Sequence, residues 1–361
     1  ERGKKAVIHV GDSKEGWVEA LRTFFRVLTL DEYAEVNQIG IYYDYVRPKG
    51  SRLHTFGGTA SGYEPLREMF EGITKVIRNE LDPSLAPLEK VDGTRVKVRP
   101  VHILDIGNLI GNNVVVGGVR RTAEIFLFDA DDYESMLAKY GINGIWNVEQ
   151  HEKVITKLRE VGLNEQADYL ASLPVNDPNA RPLHHRRMSN NSIAFESKPS
   201  EDFLELVFEI MQAEGEPGFI NLEEARRRRP NAEGLNPCAE ILLDSYGVCN
   251  LTTVNVVQFV RKNGDKYELD YDGLADAQRK SARAGLRMTL THLEIPHWDA
   301  VQQRDRLLGT SITGVKDAMA LLGYDADDEA KLIAKLGRVA REEADNYAKE
   351  MRVTSPLLVT T

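Results

Sequence analysis

The chain is short of cysteine: 361 residues hold two, Cys238 and Cys249. So sparse a pair does not make a disulfide-stapled scaffold, and it leaves catalytic, ligand or merely buried roles for the sulfurs. Long apolar runs are missing as well. No stretch approaches the roughly 20 residues that cross a bilayer, and the opening ERGKKAVIHVGDS has no signal-peptide core. A cytoplasmic location with no membrane partner is expected. Nor is positive charge in excess, since 46 Lys and Arg face 56 Asp and Glu for a net charge of −10. That balance argues against nucleic acid as a partner. Small anions need only local clusters, such as Arg120–Arg121 or His184–Arg187.

What is present is an ordinary soluble composition, 42% hydrophobic and 28% charged, long enough for one large domain or two ordinary ones. Trp17, Leu21, Phe24, Phe25 and Leu28 fall on one helical face, and IGIYYDYV (39–46) reads as a buried strand. Ser61 and Glu64 have capping-box spacing ahead of a helix with Pro65 in its first turn and Leu66, Met69, Phe70, Ile73 and Ile77 as its stripe. Ile103, Ile106, Ile110 and Val114 predict another helix. Residues 141–182 are polar and read as a helical surface excursion. Ser200 is the expected N-cap of a helix that GEPG ends, and 270–351 is mostly helical, with Leu332, Ile333, Leu336, Val339, Ala340 and Tyr347 facing inwards. Strands alternating with helices imply an α/β fold.

The densest chemistry lies in GLNPCAEILLDSYGVCNLTT (234–253), where the cysteines stand eleven residues apart. A zinc site would want four ligands at close spacing, and His184 and His185 lie about fifty residues upstream. No metal site is expected. Two buried small residues would be the plain reading of either cysteine alone. It leaves Asn236-Pro237 before the sulfur and Glu240 after it unexplained. In an extended loop, positions i and i+2 project to one side, so Asn236, Cys238 and Glu240 would share a face: an amide, a sulfur and an acid/base group. GGTASG is a weak signal, a tight turn before a helix. GGVRR suits a mobile loop that grips an anion or a base, or else a solvated loop. ARRRRP (225–230) reads as an exposed basic helix end.

Taken in chain order, HVGDSKEGW, VRPKGSRLHTFGGTASG, VVVGGVRRTAEIFLFDADD, HHRRMSNNSIAF, GEPGFINL, LNPCAEILL, GVCNLTTVN and RLLGTSITGV resemble ribonucleotide reductases. The likeness is greatest to the monomeric adenosylcobalamin-dependent ribonucleoside-triphosphate reductases. The resemblance implies part of a ten-stranded α/β barrel with a central finger loop, of which NPCAE looks like the tip. The whole chain, 1–361, would be a partial catalytic barrel domain. Within it, 1–130 would hold the effector and specificity-loop region, 183–260 the substrate region and finger, and 270–361 a mostly helical continuation.

By the same resemblance Cys238 is the thiyl-radical residue, Glu240 takes the 3′-hydroxyl proton, Asn236 holds that hydroxyl, and Cys249 belongs to the reducing cysteine pair. Asp12, Ser13 and Arg47 fall where the family binds a deoxynucleoside triphosphate effector. Gly117, Gly118, Val119, Arg120 and Arg121 match the specificity loop, with Arg120 touching substrate. Ser189, Asn190, Asn191 and Ser192 fall near the ribonucleoside triphosphate. Adenosylcobalamin is the implied cofactor and a dithiol such as thioredoxin the implied reductant. Glu1 in place of an initiator methionine and the apolar ending SPLLVTT suggest an internal segment. The second reducing cysteine is expected upstream of residue 1, and a phosphate-binding loop and thiol relay beyond Thr361. Two other readings stay open: a nucleotide-binding fragment without catalysis, and a zinc or redox module.

Overall fold

The computed structural model of the chain describes residues 4–53, 58–93, 95–115 and 122–360. The chain divides into two compact units, residues 1–223 and 224–361.

The first unit opens with strand β1 (Lys4–His9), helix α1 (Lys14–Thr29) and strand β2 (Val36–Tyr42), the two strands pairing in parallel. The predicted stripe builds α1: Phe24 is buried, and Trp17, Leu21 and Phe25 pack around it, while Leu28 is exposed. The strand expected over 39–46 starts earlier, stops at Tyr42 and is only half covered, because its single ladder is with β1. Helix α2 (Glu64–Ile77) buries Leu66, Met69, Phe70 and Ile73 as predicted. Ser61 is not its cap. Gly62, at φ +80, turns the chain between Ser61 and the helix start, and the Ser61 hydroxyl donates instead to the Gly62 carbonyl at 3.3 Å.

After a two-stranded ladder, β3 (Glu89–Lys90) with β4 (Val96–Lys97), comes helix α3 (Pro100–Val115), where the isoleucine spacing placed one. Strands β5 (Glu124–Phe128), β6 (Ser189–Phe195) and β7 (Gly218–Asn221) then form a parallel sheet in that order. Helices α4 (Tyr133–Met136), α5 (Val148–Glu160) and α6 (Asn164–Ala171) connect β5 to β6. This stretch is not a surface excursion. Val154, Leu158, Ala167 and Leu170 share one core with Ile193 of β6 and Leu206, and the polarity that suggested otherwise belongs to the outer helix faces. Leu206 lies on α7 (Glu201–Glu214), which Ser200 caps by accepting from Phe203 N at 3.2 Å and Gly215, at φ +74, ends.

Charge is buried in this unit. Arg186 is fully buried: its Nε and Nη2 fork onto the Asp105 carboxylate at 2.7 and 2.8 Å, and Nη1 donates to Asp82 at 2.8 Å and to Ala138 O at 2.7 Å. Arg181 donates to Asp82 at 3.0 Å and to the carbonyls of Leu137 and Tyr140 at 2.6 and 2.8 Å. Within the His184–Arg187 cluster, Arg186 and His185 are therefore not available to an anion, because Arg186 is consumed by carboxylates and His185 sits 2.6 Å from Asp105. The fork fixes the chain just ahead of β6.

The second unit follows α8 (Leu222–Arg228), which spans the point of division. Its strands are β8 (Gly234–Leu235), β9 (Leu242–Leu243), β10 (Cys249–Asn255), β11 (Val260–Asn263), β12 (Lys266–Leu269), β13 (Leu307–Thr313) and β14 (Val359–Thr360). Its helices are α9 (Tyr271–Met288), α10 (Pro296–Asp305), α11 (Val315–Leu322) and α12 (Ala326–Met351). Parallel β10, β13 and β14 form its main sheet, in register from Cys249 opposite Leu307. Ala282 and Leu286 of α9 pack with Leu308 and with Ala340, Ala344 and Tyr347 of α12. The α/β class expected from the sequence is present in both units. No described helix is long and apolar enough to cross a membrane.

Burial by itself would raise the Asp82 carboxyl, but Arg181 and Arg186 outweigh it and hold the group at about 2. A depressed carboxyl stabilises the fold above its unfolded pKa near 3.8, and that contribution is lost as pH falls through about 2. Arg186→Met leaves buried Asp82 with Arg181 alone and buried Asp105 with His185 alone, and is expected to cost about 3–5 kcal/mol. Urea unfolding at neutral pH measures it, and an unmoved midpoint would show that the fork contributes nothing.

Candidate active site

The segment with both cysteines lies wholly in the second unit. Gly234 pairs with Leu243 and Leu235 with Leu242, so β8 and β9 make an antiparallel hairpin. Asn236 N–H extends the ladder by donating to Ile241 O at 3.2 Å, and Ala239 N–H closes the turn on Asn236 O at 2.8 Å. Cys238 is thus at the tip, exposed and outside any disulfide. A cysteine at a loop tip between strands is what the resemblance implied, but Cys238 lines neither of the described cavities and is exposed.

The shared face is not found. Ala239 takes the left-handed conformation, φ +65, so the backbone is not extended between Cys238 and Glu240 and the two-residue alternation breaks there. Glu240 is exposed rather than turned into a cavity with Cys238. Asn236 Oδ1 accepts from Ile241 N at 2.9 Å, so its amide oxygen builds the hairpin. The amide nitrogen is the end of that side chain able to donate to a substrate oxygen.

Cys249 heads β10, half-buried. Its thiol is pushed up to about 11, first by burial and then by the Glu240 carboxylate, against a lowering hydrogen bond from the Gly309 backbone. Glu240 therefore acts electrostatically on Cys249, a link that residue spacing did not predict. At neutral pH this sulfur is a thiol, a source of hydrogen rather than a nucleophile.

In the first unit, Asp12 and Arg47 come together: Arg47 Nε donates to Asp12 Oδ2 at 2.8 Å and its backbone N–H to Oδ1 at 3.2 Å. Ser13 caps α1, its Oγ accepting from Gly16 N at 3.0 Å. Gly16 is required there, because a Cβ would lie 2.7 Å from Gly11 O. Ser189, Asn190, Asn191 and Ser192 occupy β6, the middle strand of its sheet. Ser189 Oγ donates to Asn191 Oδ1 at 2.9 Å, and Asn191 Nδ2 is buried with no partner among the described residues. Gly117, Gly118, Val119, Arg120 and Arg121 lie outside the described residues.

Of the ARRRRP run, Arg226, Arg227 and Arg228 are exposed as expected. Arg229 is buried instead, because three acceptors converge on it: Leu242 O, Asp244 and Asp305. Among the described residues no group of three or more His, Cys, Asp or Glu is placed to hold a metal ion. A cavity of about 440 Å³ opens at the ends of β5 and β6, lined by Asp129, Asp131, Glu196 and Phe203 among others. It contains none of the predicted residues, and its carboxylates would repel nucleotide phosphates.

The family described as ribonucleotide reductase, barrel domain, matches residues 145–341, more than half of the chain. The chain belongs to that ribonucleotide reductase family. A second family, the insertion domain of B12-dependent ribonucleotide reductase, matches residues 2–77. The chain is 31% identical over 323 residues to the adenosylcobalamin-dependent ribonucleoside-triphosphate reductase of Lacticaseibacillus paracasei, covering 85% of this chain and 34% of that one. It is 28% identical to the putative enzyme of the same name from Mycobacterium phage D29, over 96% of this chain and 47% of that one. The crystal structure of a B12-dependent (class II) ribonucleotide reductase shares the fold, with a TM-score of 0.69 at 23% identity, over 99% of this chain and 46% of that one. This reductase chain thus spans about a third of the length of the Lacticaseibacillus enzyme.

The raised Cys249 thiol sets a measurable expectation. With Cys238→Ser removing the other sulfur, iodoacetamide should modify Cys249 slowly at neutral pH, with half-maximal rate near pH 11. Glu240→Gln should move that midpoint downwards. The same shift makes the unfolded thiol ionise first, so stability should fall as pH rises from about 9 through about 11. A midpoint at the ordinary value of 9.0 would contradict the burial argument.

Proposed function

We propose that this chain is part of the catalytic domain of an adenosylcobalamin-dependent ribonucleoside-triphosphate reductase, which makes deoxyribonucleoside triphosphates for DNA synthesis in the cytoplasm. The observation that carries the reading is Cys238 at the tip of a short hairpin, with Cys249 heading the parallel strand that follows. The parallel strands would belong to part of a ten-stranded barrel.

In this reading the Cys238 thiyl takes the hydrogen atom from C3′ of the ribose and becomes a thiol. Glu240 accepts the 3′-hydroxyl proton, and the Asn236 amide steadies that oxygen. The 2′-hydroxyl leaves as water, and two electrons come from a cysteine pair that closes to a disulfide. Cys249 is one member and a cysteine outside this chain is the other. Cys238 then returns its hydrogen atom to C3′. A thiol held protonated fits Cys249's part, since it delivers a proton with its electron.

The exposed, unbridged Cys238 sulfur fits a cofactor that must reach it from outside the chain. Adenosylcobalamin, when bound, supplies the one-electron oxidant for that sulfur, its cobalt held by the corrin. Ser189, Asn190, Asn191 and Ser192 line the substrate side, where the unmatched Asn191 Nδ2 is a donor in search of an oxygen. Asp12, Ser13 and Arg47 bind a deoxynucleoside triphosphate effector, and residues 117–121, with Arg120 on the substrate, relay its identity. A dithiol such as thioredoxin restores the cysteine pair.

The test is a set of variants in a complete reductase. Cys238→Ser should abolish both deoxynucleotide formation and exchange of the 3′ hydrogen. Cys249→Ser should leave the first abstraction in place and lose reduction, so that substrate decomposes. Glu240→Gln should slow turnover by roughly 10²–10⁴-fold. Normal reduction by the Cys238→Ser enzyme would sink the reading and leave a nucleotide-binding role.

A further inference from the structure

The hairpin that presents Cys238 has two paired residues on each strand. An isolated two-stranded ribbon is marginal in water even when longer, so something else must fix its direction. The candidate is a quartet of charges at its base, all within the second unit. Arg229, one residue beyond α8, donates through Nη1 to Leu242 O of β9 at 2.9 Å. Its Nη2 reaches Asp244 Oδ1 at 2.5 Å and Asp305 Oδ2 at 2.9 Å. Arg304 closes the ring from the outside, forking onto Asp305 at 2.6 and 2.9 Å and pairing with Asp244.

Two guanidinium groups and two carboxylates balance in charge, and three of the four are nearly out of solvent: the side chains of Arg229, Asp244 and Asp305 are 10%, 11% and 6% exposed. Such a ring is costly to break, because removing one member leaves its buried neighbours with one partner in place of two. Its members come from three places in the chain: just after α8, just after the return strand of the hairpin, and the end of α10. Arg229 grips the β9 backbone itself, so the ring holds the ladder rather than a side chain hung on it.

We propose that Arg229, with Asp244, Asp305 and Arg304, is the anchor that sets the direction of the Cys238 hairpin, making Arg229 and Asp244 positioning residues for the sulfur. This rests on the reading of Cys238 as the reacting thiol. Hydrogen-atom transfer needs the sulfur close to one C–H bond, and a displacement near 1 Å costs roughly 100-fold in rate.

The anchor is tested without catalysis. In the Cys249→Ser chain, Cys238 is the one thiol and takes a nitroxide label. Arg229→Met should shorten the label's rotational correlation time at least about twofold, a nanosecond motion that electron paramagnetic resonance reads. Arg229→Lys, which cannot fork, should fall between. A label on Lys266→Cys in the cysteine-free chain should not change, which separates a loosened hairpin from a loosened unit. Should Arg229→Met lose its fold by circular dichroism, Asp244→Asn takes the same measurement. An unchanged Cys238 label in either folded variant overturns the anchor, and so does loss of fold in both, since the ring would then serve the whole unit. In a complete reductase, Arg229→Met should lower kcat roughly 100-fold with KM little changed. A mobile hairpin with unchanged kcat would keep the anchor and overturn the role of Cys238. A rigid hairpin would do the reverse.

Discussion

A β-ladder two residues long cannot hold its own direction, and the proposed chemistry of this chain sits on one. The structure answers with hydrogen bonds of three kinds. Backbone bonds from Asn236 and Ala239 close the turn, the Asn236 side chain locks Ile241, and the Arg229 ring grips the return strand from below. Each is polar and directional. Hydrophobic packing is non-directional, so it can hold a loop down without aiming it.

The same solution recurs in the first unit. Arg186 is buried between Asp82 and Asp105, with the Ala138 carbonyl also accepting from Nη1, just before β6 begins. Both units thus use a buried arginine, planar and unable to lose its charge, beside a strand: Arg186 just before β6, and Arg229 on the backbone of β9 in the hairpin that precedes β10. The strands themselves, β6 and β10, lie in parallel sheets whose apolar faces helices cover, an arrangement that stabilises the sheet but leaves the strand ends to be specified separately.

Much of this was legible in the residues. The stripes of α1 and α2, the Ser200 cap and the Gly215 stop follow from local rules, and local rules act whatever the rest of the chain does. The hairpin tip at Cys238 was legible through the resemblance of NPCAE to the tip of a finger loop. What escaped were contacts between distant segments. Arg229 looks like its three exposed neighbours in sequence, and only the return of Leu242, Asp244 and Asp305 to its side gives it a different role. The polarity of 141–182 likewise hid a buried face, because Val154, Leu158, Ala167 and Leu170 suffice to seat α5 and α6. The broken alternation at Ala239 is the subtlest case: nothing in the letters Cys-Ala-Glu signals a left-handed alanine.

The environment of Cys249 has a consequence for how the chain withstands oxidants. Peroxide attacks thiolates, and a sulfur that ionises only near pH 11 presents almost none at neutral pH. Burial and the neighbouring carboxylate therefore act as a shield that is electronic as much as steric. In the proposed reducing role, electrons stored on Cys249 would be withheld from small diffusible oxidants and released to a partner brought into contact with it, so the arrangement that slows alkylation would also keep a reducing equivalent from leaking away between turnovers.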